Sequence, residues 1–270
     1  MSPPNEVRAR FAIRPGLTLW LGLALLAWVS WHGFNHLTRP EGLVLHLLVM
    51  MPAQFMLCVC IHDAVHGVLM RPRTLNFAAG TLLALGVMLP FPLLRRTHLH
   101  HHDNVGHDED PEHSVYGIDA RALILRLPLI PYIYLSNWRM LDAKESLTSA
   151  LALAGICALL VSAGDAFGWG AMCEAFVLPS VATIGWFGFM TVYVPHSRHS
   201  EVLMRYFTEH SGWHHDHHRS PQYPFNQYIE LRDFHLRRGV FEPRGHEALL
   251  VRILATPLFG ERPPEHEDEQ

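Results

Sequence analysis

Apolar residues in this chain come in long blocks separated by short polar breaks. Four blocks, at 16–37, 43–62, 146–163 and 171–194, reach the length of about 20 mainly apolar residues that a helix needs to cross a bilayer. A fifth, at 75–94, ends in Leu89-Pro90-Phe91-Pro92, and proline breaks a helix. It is read as a re-entrant or interfacial segment. The stretch 119–135 carries Arg121, Arg126, Pro128 and Pro131 and is read as an amphipathic segment lying in the membrane plane. No small-x-small cleavage site separates the first block from Trp31-His32, so that block is expected to be a retained membrane helix. The fold class that follows is all-α: an integral membrane protein with four transmembrane helices in two hairpins and interfacial helices. Residues 1–260 form a single domain, and the acidic segment 261–270 is a disordered tail.

Charge turns this layout into a topology. Charged residues are 17% of the chain, against about 25% in a soluble domain. Of 21 Lys and Arg, the loop of the first hairpin holds only Arg39, and the loop of the second, Gly164 to Gly170, holds none. The other basic residues then share one side, which the positive-inside rule makes cytoplasmic, together with both termini. A single crossing by 75–94 would break this arrangement, so the segment is expected to return to its own side. The four cysteines, Cys58, Cys60, Cys157 and Cys173, lie in apolar runs without a CxxC pair, which excludes a zinc knuckle and a disulfide framework. Nothing in the charge pattern points to nucleic acid.

The 21 histidines change the picture most. His62 and His66 stand four apart at the end of the second block, on one helix face. His98, His101 and His102 stand in HLHHH, where His100 points elsewhere. His214, His217 and His218 stand in HHDHH and repeat the H-x-x-H-H spacing. One tetrahedral zinc takes at most four protein ligands, so eight imidazoles suggest two metal ions with open positions. Imidazole alone does not choose among Zn, Cu, Fe and Ni. His196 is the candidate ninth ligand. Asp63, Asp103, Asp110 and Asp216 are candidates to hold ligand imidazoles through the second ring nitrogen. His32, His36 and His46 lie in or beside the apolar blocks without partner spacing and are assigned to structure. Arg95, Arg96, Asn137 and Trp138 are candidates to meet a polar headgroup.

The boxes HDAVH, HLHHH and HHDHH, on one side of a four-span layout, resemble those of the membrane fatty acid desaturase superfamily, which includes acyl desaturases, lipid hydroxylases and bacterial β-carotene ketolases. The resemblance covers roughly 43–230. It implies a non-haem di-iron centre held by eight or nine histidines, with O₂ as co-substrate. It also implies a fatty-acyl or similar lipid substrate and a separate electron donor of ferredoxin or cytochrome type. The bacterial inner membrane is the expected location. Gly212-Trp213-His214-His215-Asp216 is similar to the ketolase pattern, whereas Asp110-Pro111-Glu112-His113 departs from it. Acyl desaturation or hydroxylation therefore stands ahead of carotenoid ketolation or hydroxylation. A metal transporter needs ionisable residues along its spans. The spans offer only His32, His36, His46 and Glu174, so that third reading ranks below the enzymes.

Overall fold

The computed structural model describes residues 16–104, 107, 109–111 and 134–188. Among the described residues every regular element is helical: α1 (Leu17–Thr38), α2 (Leu43–Val65), α3 (Arg73–Ala84), α4 (Phe91–Asn104), α5 (Ala143–Phe167) and α6 (Trp169–Gly188). Helices α1, α2, α5 and α6 are long and apolar enough to cross a membrane. They correspond to the four blocks expected from sequence, the last followed as far as Gly188. The segment 119–133, residues 189–194 and the tail 261–270 lie outside the described residues.

Helix α2 is the centre of the bundle and touches α1, α3, α4 and α6. Its buried positions His46, Met50, Gln54, Leu57 and Ile61 recur every three or four residues and form one helical face. The outer faces stay apolar as well: Leu48 is 68% and Leu159 67% exposed. Such surfaces suit hydrocarbon rather than water. Gln54, fully buried, ties three segments together. Its Nε2 donates to the Gly86 carbonyl (3.0 Å) and the Ser180 hydroxyl (2.9 Å), and its Oε1 accepts from Thr183 (3.1 Å). A polar group that cannot reach water must find partners inside the protein.

The fifth block does not form one helix. Helix α3 tightens into a 3-10 turn at Leu85–Val87, and Met88 takes a left-handed conformation (φ 56°). Chain direction then changes by 101° into α4. Pro90 and Pro92 explain the break: neither can sit inside a helix, but Pro92 fits the first turn of α4, where no N–H partner is needed. The polar run HLHHH lies on α4, beyond this break.

Helix α5 opens with a capping box. The Asp142 carboxylate accepts from the Glu145 N–H (2.8 Å), and Glu145 accepts from the Asp142 N–H (3.2 Å). Arg96 of α4 donates to the Met140 carbonyl (3.1 Å) and lies 3.7 Å from Glu145, so this expected headgroup contact also joins α4 to α5. Asn137 is buried, which takes it out of the headgroup role.

Gly80 sets how closely α3 approaches α2. A Cβ there would stand 2.5 Å from the Phe91 ring and 2.9 Å from the Ala64 Cβ. Gly80→Ala is expected to push α3 and α4 away from α2 and destabilise the protein by about 1–3 kcal/mol, read as a lowered thermal midpoint in detergent.

Candidate metal centre

Helix α2 ends immediately after its histidine pair. The Gly67 N–H donates to the Ala64 carbonyl (3.0 Å) and the Val68 N–H to the Asp63 carbonyl (3.0 Å). This Schellman pattern needs a left-handed residue after the cap, and Gly67 supplies it at φ 74°. Asn76 of α3 locks the stop in place. Its Nδ2 donates to the Ala64 carbonyl (2.7 Å), while its Oδ1 accepts from the Leu69 (3.1 Å) and Met70 (3.3 Å) N–H groups. The end of α2 is therefore a rigid mount for His62 and His66.

Helix α4 brings the second run to the same place. One ring nitrogen each from His62, His66, His98 and His102 lies within 4.8 Å of the others. His98 and His102 face each other Nε2 to Nε2 at 3.0 Å, and the His62 and His98 ring centroids are 4.7 Å apart. Nitrogen ligands at about 2.0–2.1 Å from one ion require separations of this order, so the four imidazoles fit a transition metal. Burial and the neighbouring imidazoles hold His98 well below the ordinary histidine range. It is therefore neutral near pH 7, the form that offers a lone pair to a metal.

His101 occupies a different position. It is buried, and its Nδ1 lies 3.0 Å from both oxygens of the buried Asp110. A carboxylate only accepts, so Nδ1 carries the proton and Nε2 is the nitrogen with a lone pair. Its ring centroid lies 5.8 Å from that of His98 and 5.7 Å from that of His102. His100 turns away and pairs with Asn104. Asp63 is buried in α2, and Asp103 is exposed. His196, His214, His217, His218 and Asp216 lie outside the described residues.

An apolar cavity opens beside these rings. His62 and His98 form part of its wall, with Cys58, Val65, Leu94 and Phe187 among its other lining residues. Two of the four clustered imidazoles thus face a space suited to hydrocarbon.

Membrane-length helices that deliver imidazoles from two elements to one point, beside an apolar cavity, define a helical protein with a candidate metal centre at one end of the bundle. The chain belongs to the fatty acid desaturase family, whose sequence profile matches residues 40–246. It is similar to the temperature-sensitive sn-2 acyl-lipid omega-3 desaturase (ferredoxin), chloroplastic, of Arabidopsis thaliana, at 26% identity over 250 residues, covering 72% of this chain and 57% of that protein. The sn-2 acyl-lipid omega-3 desaturase (ferredoxin), chloroplastic, of Helianthus annuus is 26% identical over 224 residues, covering 64% and 50%. The omega-3 fatty acid desaturase, chloroplastic, of Glycine max is 25% identical, covering 64% and 49%. The chain spans about half the length of the curated relatives it matches.

Sequence reasoning missed Asn76, although an asparagine inside an apolar block is itself a signal. Asn76→Ala leaves the buried Leu69 N–H and the part-buried Met70 N–H without this partner and takes one of two donors from the Ala64 carbonyl. At about 1–3 kcal/mol for each unsatisfied group, a clear fall in thermal midpoint is expected. A midpoint within a degree of the parent's would show that Asn76 does not hold this joint.

Proposed function

We propose that this protein is a membrane non-haem di-iron oxidoreductase that desaturates a fatty-acyl or similar lipid chain. The observation that carries the reading is the convergence of His62, His66, His98 and His102 beside an apolar cavity. Family membership and the desaturase relatives support it.

The metal-holding residues in this reading are His62, His66, His98, His101 and His102. His214, His217 and His218 join them from the third box, with His196 as the ninth. Iron bound there supplies the activation of O₂ and the removal of hydrogen from an unactivated carbon. In balance, the chain loses two hydrogens, and O₂ takes up these with two further electrons and two protons to leave as two waters.

The chain's own residues do the positioning. Asp110 accepts a hydrogen bond from the Nδ1–H of His101, fixing the tautomer and aiming Nε2, as carboxylates do for ligand histidines. Asp63 and Asp216 are assigned the same task. The small apolar cavity against His62 and His98, about 30 Å³, marks where the reacting carbons of an apolar chain would lie. Two of the relatives named above carry ferredoxin in their names, which supports a separate ferredoxin-type electron donor. The charge asymmetry supports a cytoplasmic location for the box-bearing ends and both termini.

The test combines metal and lipid analysis. Protein expressed in membranes is expected to hold about two iron ions per chain and to yield acyl chains lighter by two hydrogens. A gain of oxygen by the acyl chain would reassign the reaction to hydroxylation, and a gain of keto oxygen by an added carotene would reassign it to ketolation. Zinc without iron, together with unaltered lipids, would overturn the reading.

Two variants probe the site itself. His98→Ala is expected to insert normally and lose product. Asp110→Asn is expected to lose about 10–100-fold in iron affinity or activity, and full retention of both would show that the His101 contact has no part in the centre.

A further inference from the structure

A second group of metal-ligating side chains lies at the other end of α2. His46 stands sixteen positions before His62, about 24 Å along a helix that rises about 1.5 Å per residue. His46 is fully buried, and around it gather His32 and His36 of α1, Glu41 of the α1–α2 loop and Glu174 of α6. One ligand atom each from His32, Glu41 and His46 lies within 4.8 Å of the others. The Glu41 Oε1 is 2.9 Å from the His32 Nε2 and 3.3 Å from the His46 Nδ1.

The protonation pattern of His46 makes this arrangement informative. Its Nε2 lies 3.1 Å from the Ala175 carbonyl. A carbonyl can only accept, so Nε2 carries a proton, and in the neutral ring Nδ1 is a bare lone pair. That lone pair faces a carboxylate oxygen, which is also an acceptor. Two acceptors 3.3 Å apart repel unless a positive species lies between them. The same geometry, with one ring nitrogen on a backbone carbonyl and the other turned to a cluster of donors, is how ligand histidines are oriented.

Two further features point the same way. Helix α6 widens into a π-turn at Cys173–Val177. This turn presents the Ala175 carbonyl to His46 and brings Glu174 to 3.8 Å from His36. Single π-turns inside α-helices occur frequently at functional sites. His36 is 2% exposed, neither ring nitrogen has a hydrogen-bond partner, and its ring stacks on His46 at 3.9 Å.

We propose that His32, Glu41 and His46 form a second metal site for a divalent cation of the zinc class, separate from the histidine boxes. Two imidazoles and one carboxylate with an open position are a donor set that zinc accepts. Here the ion bridges α1, the α1–α2 loop and α2, and it neutralises Glu41 next to the apolar bundle. Through the His46–Ala175 bond it also braces α6.

The experiment counts zinc on the purified full chain. The protein is stripped with a chelator, reloaded with Zn²⁺, desalted and measured by elemental mass spectrometry, for the parent, Glu41→Gln and His46→Asn. Each variant is expected to hold one zinc ion fewer per chain than the parent. Zn²⁺ is also expected to raise the parent's thermal midpoint by more than that of Glu41→Gln. Glu41→Gln keeps the shape of a partly exposed side chain, so it decides the matter if His46→Asn fails to fold. Iron reconstitution at the boxes is expected to be equal in the parent and Glu41→Gln, which separates this site from the other. Equal zinc counts and equal thermal shifts in the parent and Glu41→Gln would overturn the proposal and leave a proton-bridged His–Glu–His contact.

Discussion

Helix α3 packs on α2 with no space for a side chain at Gly80, and the position of both described histidine boxes follows from that contact. Because α3 lies close, Asn76 reaches the last carbonyls of α2 and the turn beyond it. Because Phe91 fills the space at Gly80, α4 starts against the same surface and runs off at 101°. His98 and His102 are thereby carried back to His62 and His66. The imidazoles meet because the backbones approach closely, and their rings then pack edge to face across α2 and α4.

The second constraint is the cost of polar groups in a bundle that is apolar inside and out. Three buried polar contacts tie elements together. Gln54 joins α2, the turn after α3 and α6. Asp110 sits against His101, and His46 sits against Glu41 and Ala175. Such groups are expensive to leave unsatisfied, so their partners show which elements must stay together. Helix α2 takes part in two of these three contacts, and with its opposite end bearing His62 and His66 it acts as the axle of the structure.

That axle gives the molecule two chemically different ends. At one, imidazoles crowd around a common point beside an apolar cavity, the arrangement suited to redox chemistry on a lipid chain. At the other, imidazoles and carboxylates mix beneath a π-turn, the arrangement suited to holding an ion in place. The separation of roughly 24 Å along α2 keeps the two groups from sharing ligands.

Much of this was legible in the residues. The four membrane-length blocks, the break at Pro90 and Pro92, and the spacing of the histidine runs are local patterns, and local patterns survive without knowledge of packing. They were enough to indicate an all-helical architecture, membrane-length helices and the desaturase family. Spacing could not show that His101 pairs with Asp110 and stands beside the four clustered rings, because that contact depends on how the chain turns after α4. Nor could it show the gathering of His32, His36, Glu41 and His46: His32 and His36 stand four apart on α1, but Glu41 and His46 come from a loop and a second helix. Sequence alone determined which elements form and which side chains carry chemistry. Only the tertiary structure decided which of those side chains meet, because their convergence rests on helix contacts as small as the missing methyl group at Gly80.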